Sequence, residues 1–309
     1  MTSVRQAIFA ATAAVSLALA TLAASAAALP PLSDPPSGEY RQGKFVWIDL
    51  VTADLPAAEK FYGTLFGWTF TRVGDDPVRY TLAWQAGYPV AGLAARAPAP
   101  VPAPVPAPGP TTAEVRKAWW VAYMSVPDVD RAAAEVVAKG GKILIPARGL
   151  EGRGRMALLA DPDGAPFGLL KSASGDPPDF RAELGDWIWA VYQSADAGRA
   201  AAFYQDLGNF EVVPGDPVGN AASYTLQAEG YARAVLLEIP PERIELRPEW
   251  IYFVRVADVA TSVAKAVELG GRVIVAPRPD LEDGRLGVVT DSGGALLGLM
   301  EWDDGGEGN

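Results

Sequence analysis

The chain has no cysteine and no histidine among its 309 residues. The first absence excludes disulfides, thiolate zinc sites and a cysteine nucleophile in any compartment. The second excludes a Ser-His-Asp relay, a histidine general base and every imidazole metal ligand. Chemistry here must rest on carboxylates, Tyr, Lys, Arg, Ser, Thr, backbone groups or a borrowed cofactor. Positive charge is also scarce: 26 Lys and Arg stand against 37 Asp and Glu, for a net charge of -11 with no basic cluster. Such a field repels phosphate backbones, so no nucleic acid is expected as a partner. Half of the residues are hydrophobic, enough to bury a substantial core, and the length suits two domains.

The N-terminus, "MTSVRQAIFAATAAVSLALATLAASAAALPPL", carries one charge, Arg5, then an Ala/Leu-rich run, then A-x-A sites near Ala24-Ser25-Ala26 or Ala26-Ala27-Ala28. That order predicts an export signal over residues 1–28. The expected location is periplasmic or secreted, with no membrane contact after cleavage. The alternative is a retained anchor, because the run from Ala7 to Ala24 is just long enough to span a bilayer. No Cys follows it, which excludes a lipoprotein anchor, and no later stretch is long and apolar enough to cross a membrane. Residues 29–41, rich in Pro, Ser and Gly, are expected to be a mobile tether.

An internal repeat organises the rest. Trp47, Asp54, Phe61 and Tyr62 return as Trp189, Asp196, Phe203 and Tyr204, each 142 positions later. Asp128, Gly140-Gly141, Arg155 and Asp161 return as Asp258, Gly270-Gly271, Arg285 and Asp291, each 130 positions later. The difference of 12 residues requires an insertion in the first copy, visible as the Ala/Pro/Val tract from Ala97 to Lys117. Such a tract forms neither helix nor central strand and reads as a polyproline spacer. Inside each copy, "WIDLVTADLPAAEKFY" and "VAYMSVPDVDRAAAEV" repeat a β-rich run, an Asp and an Ala-rich helical run. Asp54 suits a helix N-cap, and Leu55, Ala58, Phe61 and Leu65 follow a 3.6 period. Gly67, and Asn209 in the second copy, stand where a helix ends in a left-handed residue.

The segments "FVWIDLVTADLPAAEKFYGTLFGW", "VPDVDRAAAEVVAKGGKIL" and "GRMALLADPDGAPFGLL" together resemble the vicinal oxygen chelate superfamily of glyoxalase I, bleomycin resistance proteins and extradiol dioxygenases. "WIWAVYQSADAGRAAAFY", "VADVATSVAKAVELGGRVIV" and "GRLGVVTDSGGALLGLM" carry the resemblance again. It implies an α+β fold of four βαβββ units forming two tandem glyoxalase-like modules with cup-shaped mixed sheets. The modules are placed at residues 42–175 and 183–303, with a tail at 304–309. Members that do metal chemistry carry His, Gln or Glu on facing strands. By the resemblance those places fall on Trp47, Val121 and Gly168 in the first copy and on Trp189, Ile251 and Gly298 in the second. None supplies a suitable lone pair, so no metal and no cofactor is expected. A fourth place resists alignment, and Glu238 is a candidate for it.

Strand alternation predicts what else faces each cup. In the first, Asp49, Val51, Tyr123, Ser125 and Leu170 join Trp47. In the second, Val191, Gln193, Phe253, Arg255, Met300 and Trp302 join Trp189. The glycines at 168 and 298 are expected to leave room for a flat ligand. Candidate ligand-binding residues are therefore Trp47, Asp49, Tyr123, Ser125, Trp189, Gln193, Phe253, Arg255 and Trp302. Asp49 and Tyr123 are the candidates for catalysis, as base and neighbour. Each has a plainer reading: the tryptophans as core, Asp49 bonded to a helix end or to Tyr123, Arg255 paired with Glu238 or Asp196. Arg155 and Arg285 are expected to be structural, "DPDG" a tight turn and "GLEGRGR" a flexible hairpin connection. The reading is an exported, metal-free, monomeric protein that binds a small, partly aromatic or apolar molecule, in the manner of the bleomycin resistance-like members. The alternatives are a lyase, isomerase or dioxygenase-like enzyme using Asp49 as base or an unrecognised carboxylate metal site, and an interaction module with a degenerate second copy.

Overall fold

A computed structural model describes residues 29–74, 80–96, 118–217, 221–241, 243 and 246–302. The expected signal at 1–28, the spacer at 97–117 and the tail lie outside the described residues.

Each helix starts and stops by local chemistry. The Asp54 side chain accepts from the Ala57 amide ahead of α1 (Leu55–Phe66), and Gly67, at φ 75°, closes it. Asp128 accepts from Arg131 at α2 (Val129–Ala138), Asp196 from Arg199 at α3 (Ala197–Gly208), and Asp258 from Thr261 at α4 (Val259–Glu268). Asn209 ends α3 in the left-handed region at φ 52°, a conformation that Asn tolerates better than most side chains.

The strands fall into two sheets of eight. The first comprises β1 (Phe45–Thr52), β2 (Thr69–Arg72), β3 (Tyr80–Gln85), β4 (Tyr88–Ala95), β5 (Ala118–Ser125), β6 (Lys142–Leu150), β7 (Gly154–Ala160) and β8 (Pro166–Ser172). The second repeats it with β9 (Trp187–Ser194), β10 (Glu211–Pro214), β11 (Ser223–Ala228), β12 (Tyr231–Glu238), β13 (Glu249–Arg255), β14 (Arg272–Val275), β15 (Leu286–Thr290) and β16 (Leu296–Met300). The orders are β2-β3-β4-β1-β5-β8-β7-β6 and β10-β11-β12-β9-β13-β16-β15-β14. This is the α+β architecture of two tandem glyoxalase-like modules.

The period of two splits every central strand. Ile48 and Leu50 of β1, with Trp120, Ala122 and Met124 of β5, face away from the cup. There they meet the helices and the matching residues of the second sheet, Tyr192, Trp250, Tyr252 and Val254, in one core shared by both modules. Phe45 meets Trp250 edge-on at 5.2 Å between ring centroids, and Trp120 meets Trp187 at 4.8 Å. Burial of each such ring contributes on the order of 1.5–3 kcal/mol.

The repeated Phe-Tyr pair supplies the polar part of this seam. The Tyr62 hydroxyl donates to Asp291 Oδ2 at 3.0 Å and accepts from Trp120 Nε1 at 2.9 Å. Reciprocally, the Tyr204 hydroxyl donates to Asp161 Oδ2 at 2.9 Å and accepts from Trp250 Nε1 at 3.0 Å. Asp161 and Asp291 also cap their own tight turns, each Oδ1 accepting from the amide four residues on, Ala165 and Ala295. The turn expected at "DPDG" and its counterpart at Asp291 thus lock one module to the other.

The segment expected to hang as a tether instead lies against the first module. Leu29 is buried and Leu32 packs beside it; Ser33 donates its amide to Ser174 Oγ at 3.1 Å and Ser37 Oγ donates to the Asp176 carbonyl at 2.8 Å. Its composition promised no periodic element, but two leucines found an apolar site elsewhere in the fold. Between the modules, Asp179 binds Lys44 at 2.8 Å and Arg233 at 2.7 Å. Burial opposes its charge, but these two cations outweigh that and hold the carboxyl well below its ordinary range.

Candidate functional site

The concave face of the first sheet gathers four of its polar groups at one place. Trp47 and Asp49 stand two apart on β1, so both point into the cup. Trp47 Nε1 donates to Asp49 Oδ1 at 2.8 Å, and the Tyr80 hydroxyl of β3 donates to the same oxygen at 2.6 Å. Gly92 on β4, the strand partner of Asp49, makes this contact possible. A Cβ there would stand 1.9 Å from the Tyr80 hydroxyl and 2.2 Å from Asp49 Oδ1. Tyr123 completes the group from β5, its buried hydroxyl near enough to Asp49 for each to act on the other, though short of full hydrogen-bond geometry. Burial raises the Asp49 carboxyl above its ordinary range, against the opposing pull of Tyr80, Trp47, Arg153 and Tyr123. Burial, and then the Asp49 carboxylate, push the Tyr80 and Tyr123 phenols well above theirs. Two further indoles, Trp84 and Trp119, pack against the same apolar cluster with buried Nε1–H groups that lack a partner.

The turn from β6 to β7 brings in Arg153. It stands between Gly152 at φ 77° and Gly154 at φ 118°, backbone that L side chains rarely adopt. The guanidinium lies over the Trp47 ring, 3.8 Å from its centroid, and the residue is only 2% exposed. None of its three nitrogens makes a hydrogen bond. Leu29 covers the turn from outside: its amide donates to the Glu151 carbonyl at 3.0 Å, and its carbonyl lies where a Cβ on Gly152 would come within 1.9 Å. With Leu150, Met156 and Leu170, Leu29 lines the remaining cavity, whose room for a water centre is about 10 Å³, the space of one water.

The second cup is different in kind. Val191, Ile251, Phe253, Val288, Leu296 and Met300 form its floor, with Trp189 and Leu237 half-buried beside them. Gln193 is half-buried on β9, in register with Leu237 and Glu249.

Of the residues expected to face a ligand, Trp47, Asp49 and Tyr123 come together, while Trp189 and Phe253 pack in the other cup. Ser125 does not join: it donates to Asp176 Oδ2 at 2.5 Å and fastens the connection between modules. Arg255 donates to the carbonyls of Ala182 at 2.5 Å and Trp302 at 3.0 Å, so it clasps chain segments rather than reaching Glu238 or Asp196. Trp302 is 54% exposed and is no part of a cup wall. All three stand at or beyond strand ends, where alternation gives the face but not the neighbour. The expected space above the glycines is also taken. A Cβ on Gly168 would lie 2.0 Å from Tyr123 Cδ1, and one on Gly298 would lie 2.2 Å from Phe253 Cδ1. The flat group against each glycine is the protein's own ring. Arg153, Tyr80 and Leu29 were missed; the two glycines that flank Arg153 were the one local signal, read as flexibility.

Strand register also locates the fourth place for a metal donor. Asp49 and Tyr123 are 74 positions apart, as are the helix caps Asp54 and Asp128. Their parallel partners are Gly92 and Gly168, so Gly92 takes the fourth place in the first cup and Val235, the partner of Val191, takes it in the second. Glu238 pairs with Ser194 instead, three residues further along. The eight places then hold Trp47, Gly92, Val121, Gly168, Trp189, Val235, Ile251 and Gly298, a set with no donor for a divalent ion. Among the described residues, no group of three or more carboxylates stands together in a way that could hold one.

Comparison with known proteins agrees with this architecture. The model of the Glyoxalase/Bleomycin resistance protein/Dioxygenase superfamily matches residues 44–169, and that of a glyoxalase-like domain matches residues 189–300. CFP32 of Mycobacterium tuberculosis, named a candidate glyoxylase, is 31% identical over 277 residues, which cover 86% of this chain and 98% of that protein. The anthracycline biosynthesis protein DnrV of Streptomyces peucetius is 28% identical over 275 residues, covering 86% and 96%. Among solved structures, a Mn(II)-bound glyoxalase from Novosphingobium aromaticivorans matches with a TM-score of 0.53 at 16% identity, over 85% of this chain and 83% of that one. A variant of homoprotocatechuate 2,3-dioxygenase from Brevibacterium fuscum matches with a TM-score of 0.56 at 15% identity, over 87% and 74%. These likenesses to solved structures concern the fold alone.

Proposed function

Since the chain belongs to the glyoxalase, bleomycin resistance protein and dioxygenase superfamily as a tandem pair of modules, we propose that it is an exported, metal-independent protein whose first cup binds a small, partly aromatic organic molecule. The observation that carries this reading is the polar group of Trp47, Asp49 and Tyr80, which occupies the centre of one cup where a metal-binding relative needs donors. A few convergent polar groups on an aromatic wall orient a small ligand. The internal duplication supplies the pairing of modules within one chain, which supports a monomer. The names of the relatives divide between a glyoxylase and antibiotic biosynthesis, so the reading rests on the cup rather than on them.

Two measurements test it together: the elemental content of protein purified without chelator from metal-supplemented medium, and the thermal shift produced by small aromatic compounds. The expected result is no stoichiometric transition metal and saturable stabilisation that Trp47→Leu removes. A stoichiometric metal would overturn the metal-independent reading.

A rival reading, a lyase or isomerase with Asp49 as base, draws support from the Tyr123 hydroxyl, which lies buried beside the carboxylate. Asp49→Asn separates the two. A binding cup keeps its affinity within a few-fold, whereas loss of a general base lowers the rate by about a hundredfold or more.

A further inference from the structure

We infer that the ligand of the first cup is an organic anion, a small planar aromatic molecule whose carboxylate or other oxyanion is taken by Arg153. The inference rests on the binding reading above and names its ligand class.

A guanidinium carries five N–H donors and, when buried, is normally paired. Arg153 is buried with its Nε and both Nη atoms bare. The one partner it has, the Trp47 ring, engages its π face. That leaves the N–H edges, which lie in the guanidinium plane and match a carboxylate in bidentate geometry. Asp49, the carboxylate in the cup, is not that partner: its Oδ1 accepts from Trp47 and Tyr80, and it makes no ion pair with Arg153. The buried Tyr123 hydroxyl, which lies beside Asp49 without full hydrogen-bond geometry, adds a further donor.

The second copy serves as an internal control. Arg155 and Arg285 fix the offset of 130 in this region, so the position of Arg153 is taken there by Asp283. Asp49 is replaced by Val191 and Tyr123 by Phe253, while Trp47 persists as Trp189. The charged and donor groups are absent together where the aromatic wall remains. Asp49, Tyr123 and Arg153 act on one another without Arg153 gaining a hydrogen bond, so their joint presence leaves the guanidinium edge for a common ligand. Room for that ligand is made by withdrawing Leu29, which one backbone hydrogen bond and its own side chain hold over the turn.

The test uses the full chain, with benzoate as the anionic probe and benzyl alcohol as the neutral one of similar shape, each titrated against tryptophan fluorescence. Benzoate is expected to bind at least about tenfold more tightly, as a charge-assisted fork does over a neutral hydroxyl. Arg153→Met is expected to bring the two affinities within about twofold by weakening benzoate alone. If that variant does not fold, Arg153→Gln carries the same comparison. Equal affinities in the wild-type protein, or a preference that survives loss of the arginine, would overturn the inference and leave the binding reading standing. Failure of both probes to bind would overturn the two together.

Discussion

Arg153→Met should make the unliganded protein more stable. Three guanidinium nitrogens lie buried without acceptors, and each unsatisfied donor costs about 1–3 kcal/mol, or roughly 6 kcal/mol for the set. Against this stand the contact with Trp47 at 3.8 Å, worth about 2 kcal/mol when desolvated, and attraction to Asp49 beyond ion-pair distance, about 2 kcal/mol at an effective dielectric of 20. The balance is a burden of about 2 kcal/mol. Met keeps an unbranched side chain and a sulfur contact with the ring, so most of that burden should be relieved without a cavity. For a cooperative unit of this size, about 2 kcal/mol raises Tm by roughly 4–8 °C. Thermal and urea unfolding of the two proteins at pH 7, without added ligand, measures it. Benzoate at a concentration that saturates the wild-type protein should then raise its Tm more than that of Arg153→Met. A Tm that falls on substitution would refute the reasoning, because it would mean that the guanidinium has its acceptors already and serves the fold.

Other perturbations follow from the same geometry. Gly168→Ala places a methyl 2.0 Å from the Tyr123 ring and should cost about 1–3 kcal/mol or more; Gly149→Ala, with nothing within 4 Å, should stay within about 0.5 kcal/mol, both read by urea unfolding. Tyr62→Phe removes the hydroxyl shared by Trp120 and Asp291, strands a buried donor and a buried carboxylate oxygen, and should cost about 2–4 kcal/mol; Tyr204→Phe should cost the same, and a marked inequality would contradict the reciprocal seam. For Asp49→Asn the effect depends on pH. The folded-state carboxyl is raised above its unfolded value of 3.8, so the native protein binds the proton more tightly and loses stability as pH rises through that window. The variant does not titrate there, so its stability relative to wild type should increase from pH 3.5 to pH 7. A difference that shrinks over that range would show that Asp49 is stabilised as a charge.

How far the sequence reached can be judged residue by residue. Asp54, Asp128, Gly67 and Asn209 were legible as helix ends because capping involves neighbours in the chain. Trp47, Asp49 and Tyr123 were legible as one face because strand alternation needs only the period of two. Tyr80 was not, since its meeting with Asp49 depends on the register of β3 against β4 and on Gly92 keeping the space open. Arg153 was hidden by its own glycines: "GRG" reads as flexible, yet Gly152 and Gly154 hold one conformation that directs the side chain onto Trp47. Ser125 and Arg255 point as alternation says, but the connecting chain at 176–186 meets them first.

The two copies diverge in a pattern that bears on function. At the seam, Asp161, Tyr204 and Trp250 match Asp291, Tyr62 and Trp120 bond for bond. In the cups, by contrast, the first copy's Asp49, Gly92, Tyr123 and Arg153 become Val191, Val235, Phe253 and Asp283, and strand register sets Ser223 in the place of Tyr80. The glycine belongs to this set for a steric reason. A side chain at position 92 would collide with the Tyr80–Asp49 contact, and once Val191 and Ser223 stand there that restriction lifts and valine fits. Decay without selection would have struck the seam as readily as the cup. Instead the second cup is filled as an ordinary apolar core, the more stable solution for buried space, and the first retains a carboxylate, a phenol beside it and a guanidinium without hydrogen-bond acceptors. On the proposed reading, groups that cost stability and recur nowhere else in a duplicated frame are held there by what they bind.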